Sequence, residues 1–237
     1  FKYGSGTGSN FSRLRGERTG FAHVERNFAH FKGAERSLYF SSGYLANLAV
    51  LTTFPESGDV MFSDASNHAS LIDGVRLSRA RRVIFPHNDV AALEKLLRGE
   101  TGAARKFVVV ESLFSMDGDA APLAEYAALC RETGSALIVD EAHAVGIYGA
   151  AGSGLMEARG IADDVFVSVN TAGKAMGVSG AFVAGSSDAI EALIQEARPF
   201  IFSTAPPPAV AAALDASLEV IAAEPERRMR LVALSRY

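Results

Sequence analysis

The stretch DVFVSVNTAGKAMGVSGAFVAGS, residues 164–186, decides how the chain folds. Two runs rich in Val and Phe, 164–170 and 180–186, read as buried strands. Between them a lysine, Lys174, stands among glycines and small residues. It is the sole charge from Val165 to Ser187. A surface lysine ordinarily has charged neighbours. An isolated one beside two core strands is either an oddly placed helix lysine or an amine kept for chemistry.

The same apolar signature recurs upstream in RRVIFP (81–86), KFVVVES (106–112) and SALIVDE (135–141). Amphipathic segments lie between and after these runs: 89–99, 122–134 and 187–198. Asp89 and Ser187 stand where N-caps belong, and Gly99 and Gly134 where C-caps belong. Strands alternating with helices predict an α/β domain with a largely parallel sheet. Such sheets bind ligands beyond the carboxyl ends of their strands.

Those strand ends carry polar residues. Glu111 and Ser112 follow one run, Asp140 and His143 a second, Thr171 and Lys174 a third. A further segment, SSGYLAN (41–47), follows the short strand-like SLYF and opens a helix at ANLAVLTTF (46–54). A Ser-Gly helix start is by itself an ordinary cap. Its free N–H groups and the helix dipole also suit an anion such as phosphate.

The composition narrows the alternatives. The chain has 237 residues, 49% of them apolar and 21% charged, enough for one large domain with a core. The formal net charge of −4 gives no basic surplus for nucleic acid or an anionic membrane surface. A single cysteine, Cys130, supplies neither a disulfide framework nor a metal cluster; it reads as a packed helix residue in a reducing, cytoplasmic setting. No run of 18 apolar residues and no basic-then-apolar leader is present.

A phosphate-binding helix start, an aspartate for a protonated ring nitrogen and an imine-forming lysine are the parts that pyridoxal 5'-phosphate requires. Two rivals compete. DEAH (140–143) also names a nucleotide-hydrolase motif, but the GxxxxGK[ST] loop that must precede it is missing, and the one Gly-Lys pair, Gly173–Lys174, comes after it. A zinc site from His68, His87 and His143 lacks any HxxxH pair.

Seven stretches together resemble the α-oxoamine synthase family of fold-type I pyridoxal phosphate enzymes. They are FSRLRGERTGFAHVE (11–25), YFSSGYLANLAVL (39–51), GDVMFSDASNHASLIDGVRLS (58–78), VVVESLFSMDGDAAPL (108–123), LIVDEAHAVGIYGAAGSG (137–154), NTAGKAMGVSGAFVAG (170–185) and FIFSTAPPPAV (200–210). They follow the family's order over nearly the whole chain. The resemblance implies the family's large catalytic domain over 1–237, a three-layer sandwich around a mostly parallel seven-stranded sheet. It also implies a fragment, without the family's opening segment and its C-terminal small domain, which supplies an arginine for the substrate carboxylate.

The resemblance further implies roles. Lys174 binds the cofactor and later removes the substrate's α-proton. Asp140 pairs with the ring nitrogen, His68 stacks on the ring, and His143 and Ser112 reach its phenolic oxygen. Ser42, Gly43, Tyr44 and Thr171 hold the phosphate, and Thr204 reaches the phosphate of the neighbouring subunit of a homodimer. Asn47 and Glu111 match a family asparagine and acid close to the site. The reaction is a decarboxylative condensation of an amino acid, alanine or glycine, with an acyl-CoA. GKAMGVSGA (173–181) looks most like the alanine-using branch, which makes 8-amino-7-oxononanoate from pimeloyl-CoA for biotin synthesis; glycine C-acetyltransferases are the nearest alternative. Residues 10–24 depart from the commoner family pattern. They leave His23 without an assigned role and Arg13 and Arg18 as solvated arginines or anion contacts. A non-catalytic homologue is disfavoured by the presence of Lys174, Asp140, His143 and His68. A different fold-type I enzyme is disfavoured by FSMDGD and FSTAPPP.

Overall fold

The computed structural model describes residues 20–235. Seven strands form one sheet: β1 (Arg36–Phe40), β2 (Val60–Asp64), β3 (Arg81–Phe85), β4 (Lys106–Glu111), β5 (Ala136–Asp140), β6 (Val165–Thr171) and β7 (Ala181–Gly185). Their order is β1-β7-β6-β5-β4-β2-β3. All neighbouring pairs are parallel except those of β7, which runs antiparallel to both β1 and β6. The expected mostly parallel seven-stranded sheet is therefore present.

Period-2 alternation explains the three layers. On β4, Phe107 and Val109 join one apolar cluster and Val108 and Val110 the other, all nearly inaccessible. The first cluster is covered by α2 (Gly43–Thr53), α3 (Ala69–Leu77), α7 (Ser187–Glu196) and α8 (Arg198–Ile201). The second is covered by α4 (Val90–Gly99), α5 (Leu123–Thr133) and the short α6 (Leu155–Arg159). On that same face α1 (Gly20–Lys32) and α9 (Pro208–Ala223) sandwich Tyr39 and Phe182. Phe28 stacks on Phe182 at 4.1 Å between ring centres, and Tyr39 meets it edge-on at 5.4 Å. Burying each such side chain contributes roughly 1.5–3 kcal/mol. A last helix, α10 (Pro225–Leu234), follows α9.

Two strands and several boundaries differ from the sequence reading. β2 was not separated as a strand, and the parallel pattern did not reveal that β7 is reversed. The N-cap of α7 is Ser186, whose hydroxyl accepts from Ala189 N, rather than Ser187. Gly99 is the last residue of α4 and Glu100 its cap. Asp89 and Gly134 cap as expected, the latter at φ 62°. Helix α2 begins at Gly43, ahead of Ala46, because the Ser42 hydroxyl accepts from Leu45 N and nucleates the turn earlier. Cys130 is packed in α5, and burial pushes its thiol up to about 12, as suits a structural cysteine.

One close approach positions the site. Helix α3 lies against α2 at Gly74, where an added Cβ would fall 2.7 Å from Leu51 Cδ1. The absent side chain lets the two helices bring Asn47 and Ser70 into contact.

Candidate functional site

Strands β2, β4, β5 and β6 end side by side, at Asp64, Glu111, Asp140 and Thr171. Glu111 and Asp140 are register partners, and Asp140 pairs in turn with Val169 on β6. Parallel pairing thus brings three of the predicted strand ends to one edge.

Asp140 is 4% exposed. Its carboxylate accepts from Ala142 N at 2.8 Å and from Asn47 Nδ2 at 2.7 Å. Among the described residues it makes no ion pair, so a buried carboxylate stands with neutral donors only. That arrangement suits a cationic group supplied by a ligand. Asn47 Nδ2 also donates to Ser70 Oγ at 2.9 Å, and Ser70 Oγ lies 2.7 Å from His68 Nδ1. His68 is the N-cap of α3, exposed at the mouth of the site, and its N–H donates to Glu111 Oε1 at 2.6 Å.

Glu111 is buried. Burial, with the negative charge of Asp140 beside it, pushes its carboxyl up to about 7, against the pull of the His68 amide and Lys174. Burial, followed by the nearby Lys174 ammonium, holds His143 below the usual histidine value, so its ring is neutral at physiological pH. His143 lies in a run of turns, where Ala144 N and Val145 N both donate to Glu141 O. Ser112 Oγ is buried with no hydrogen-bond partner among the described residues.

Lys174 lies in a closed loop between β6 and β7. Ala172 N donates to Gly180 O at 2.8 Å, Val178 N to Ala172 O at 3.0 Å and Gly177 N to Lys174 O at 3.0 Å. Gly180, at φ 100°, lies so close to the Tyr39 hydroxyl that a Cβ there would overlap it at 2.1 Å. The Lys174 side chain is exposed and makes no hydrogen bond or ion pair among the described residues. This is the isolated amine the sequence announced.

At the start of α2, Ser42 O accepts from Ala46 N, and the Ser42 hydroxyl from Leu45 N. The amides of Gly43 and Tyr44 remain without an intrahelical partner. Gly43 faces Thr171, whose Oγ1 would be 2.4 Å from a Cβ at that position. This cradle of two free amides, a hydroxyl and a helix dipole fits a phosphate. The Tyr44 hydroxyl itself is engaged with Asp73, so only its amide faces this role. Thr204 stands apart, exposed in the segment between α8 and α9, and joins none of these hydrogen bonds. His23 pairs with Asp215, and His87 with Asp64 and Asp119, outside this constellation. Arg13 and Arg18 lie outside the described residues. Among the described residues no group of three His, Cys, Asp or Glu side chains is arranged to hold a metal ion, and no helix is long and apolar enough to cross a membrane.

Ser70 was missed by sequence reasoning, and its signal was available: SNHAS places a serine two residues after a helix-capping histidine.

A model of the aminotransferase class I and II family matches residues 12–237. The chain belongs to that family. Within it, the 8-amino-7-oxononanoate synthase of Anaeromyxobacter sp. (strain K) is 52% identical over 231 residues, 97% of this chain and 58% of the relative. The serine palmitoyltransferase of S. paucimobilis, solved with bound PLP–myriocin, superposes with a TM-score of 0.92 at 36% identity, over 98% of this chain and 58% of that one. The 8-amino-7-oxononanoate synthase of Francisella tularensis gives a TM-score of 0.83 at 33% identity, over 97% of this chain and 64% of that one. This class I and II chain therefore spans 58–64% of the length of these relatives.

Proposed function

We propose that the chain is the large domain of a pyridoxal phosphate-dependent C-acyltransferase of the α-oxoamine synthase type. Its reaction joins L-alanine to pimeloyl-CoA, releasing CO2 and CoA and giving 8-amino-7-oxononanoate. The observation that carries this reading is identity of 52% with an 8-amino-7-oxononanoate synthase across 97% of the chain, with Lys174, Asp140, His68 and His143 all in place. The protein works as a homodimer in the cytoplasm on this reading, with Thr204 directed at the partner's phosphate.

The site fits the cofactor on its own chemistry: an ion-pair-free buried carboxylate, an amine without a partner and a helix start with two free amides. Asp140 would hold a proton on the ring nitrogen. Gly43 and Tyr44 amides, with the Ser42 and Thr171 hydroxyls, would hold the phosphate. Lys174 would bind the aldehyde carbon. Pyridoxal phosphate, when bound, supplies an electron sink for charge developing at the amino acid's α-carbon.

The chain's residues do the rest. Lys174 takes the α-proton, and the absence of a carboxylate partner keeps its amine available. His68 would cover the cofactor ring and exclude water, and neutral His143 with Ser112 would donate toward its phenolic oxygen. Asp140 would present its buried carboxylate to the cation it faces.

A second reading has its own support. The serine palmitoyltransferase backbone superposes more closely than the Francisella enzyme, at a TM-score of 0.92 against 0.83, which favours a serine- and long-acyl-CoA-using synthase. The greater sequence identity favours the alanine enzyme. Glycine C-acetyltransferase activity is the remaining alternative within the family.

Thiol release by the full-length protein loaded with pyridoxal phosphate separates these readings. Alanine with pimeloyl-CoA should release CoA and give 8-amino-7-oxononanoate by mass spectrometry, faster than serine with palmitoyl-CoA or glycine with acetyl-CoA. Release no greater than in the blank without amino acid, for every pair, overturns the acyltransferase reading.

A further inference from the structure

Behind the candidate site, two buried hydrogen bonds and a half-buried one run from Asp140 through Asn47 and Ser70 to the ring of His68. We infer that Asn47 and Ser70 are positioning residues that lock the His68 imidazole in the tautomer carrying its proton on Nε2, and that the Asp140 carboxylate sets the direction of that lock.

The direction follows from what each group is able to donate. A carboxylate only accepts, so Asn47 must present its NH2 to Asp140, at 2.7 Å. The second hydrogen of the same NH2 meets Ser70 Oγ at 2.9 Å. Ser70 Oγ lies 2.7 Å from His68 Nδ1, and with one lone pair receiving from Asn47 its own hydrogen is free to point at that nitrogen. The backbone N–H of Ser70 donates to that same nitrogen at 3.2 Å. Two donors converge on Nδ1, so Nδ1 is bare and the proton sits on Nε2.

The relay is shielded. Asn47, Ser70 and Asp140 are 2%, 1% and 4% exposed, so water does not compete for their hydrogens. Asn47 Oδ1 is buried with no partner among the described residues. An amide free to choose would turn that oxygen toward a donor. Here turning it would set an oxygen against the Asp140 carboxylate, so the carboxylate holds the amide in place at the cost of an unpaired carbonyl. The relay crosses two helices and a strand, and it depends on the close α2–α3 approach at Gly74. Its output is a ring that offers an N–H on its exposed side.

This inference deepens the reading proposed above and rests on it for what His68 and Asp140 act upon; the tautomer is a property of the chain alone. The test is ring 15N–1H correlation NMR of the full-length protein labelled with 15N-histidine, with and without pyridoxal phosphate. His68 is assigned by its loss in His68→Gln. The wild-type ring should show protonated Nε2 and bare Nδ1. Asn47→Ala frees the Ser70 oxygen to accept, and the tautomer ratio should move toward Nδ1–H by about fivefold, the worth of one hydrogen bond. Ser70→Thr, which keeps the hydroxyl, should match wild type. A purely structural role for Asn47 would lower the melting temperature and leave the ratio unchanged. A wild-type ring protonated on Nδ1, or a folded Asn47→Ala protein with an unchanged ratio, overturns the inference. If Asn47→Ala does not fold, Asp140→Asn reads the relay from its other end: a shifted ratio supports it and an unchanged one overturns it. Failure to bind pyridoxal phosphate with the tautomer as stated would sink the proposed function and leave the relay standing.

Discussion

Glu111 and Asp140 are register partners at the carboxyl ends of β4 and β5, two buried acids side by side in the sheet. Two carboxylates so placed do not ionise together without cost. The cost of burial, and then of the Asp140 charge beside it, falls on Glu111, raised from 4.5 to about 7, while Asp140 keeps the donors Asn47 and Ala142.

That asymmetry predicts a pH-dependent stability. The native state binds the Glu111 proton more tightly than the unfolded chain does. Its contribution is therefore complete below about pH 4.5 and is lost as pH rises through about 7. Glu111→Gln removes the titration and keeps an acceptor for the His68 N–H. Denaturant unfolding at pH 5 and pH 8 should show the wild type losing up to about 3 kcal/mol relative to the variant between the two. Parallel pH profiles would contradict it.

Lys32 and Glu141 form a buried ion pair at 2.6 Å, with side chains 2% and 0% exposed. Lys32 also donates to Ser153 O, and Glu141 accepts from Met156 N. Lys32→Met strands the carboxylate and should cost about 3–5 kcal/mol. Adding Glu141→Leu should recover most of that, short of the roughly 1–3 kcal/mol for the unpaired Met156 N–H. Equilibrium unfolding of the single and double variants measures both.

Gly43→Ala places a methyl against Thr171 Oγ1. Affinity for pyridoxal phosphate should fall roughly tenfold or more, as one misplaced phosphate donor costs more than ~1.4 kcal/mol. Combining it with Thr171→Ala should relieve the clash without restoring the lost hydroxyl, so the double variant should bind no more weakly than Gly43→Ala alone. Fluorescence titration with the cofactor reads each affinity.

Lys174→Ala should abolish the visible absorption band of the cofactor's imine in the full-length protein while leaving the melting temperature within about 1 °C, because its side chain is exposed and makes no hydrogen bond or ion pair among the described residues. A persistent band on Lys174→Ala would place the attachment elsewhere.

Much of this site was legible in the sequence, for physical reasons. Strands β4, β5 and β6 announced themselves as apolar runs because they are buried on both faces, and their polar last residues marked the binding edge. β2 did not stand out: VMFSD ends in Ser63 and Asp64, both buried but polar, which interrupts the apolar signal. The reversal of β7 was invisible, since an apolar run reads alike in both directions. The turns that carry His143, around Gly146 and Gly149, both at positive φ, leave no mark in residue spacing. The buried pair Lys32–Glu141 and the link from Asn47 to Ser70 join residues far apart in the chain, and only tertiary packing reveals such contacts.

The single reversed strand has a consequence for motion. Parallel neighbours need a long crossover, but β6 and β7 are antiparallel, so the loop bearing Lys174 is a short bridge between two hydrogen-bonded strands of the sheet interior. Local fraying cannot release such a loop; its anchoring amides, Ala172 and Val178, should exchange with solvent only when the domain opens as a whole. An exposed amine of the site is thereby carried on one of its slowest-opening segments.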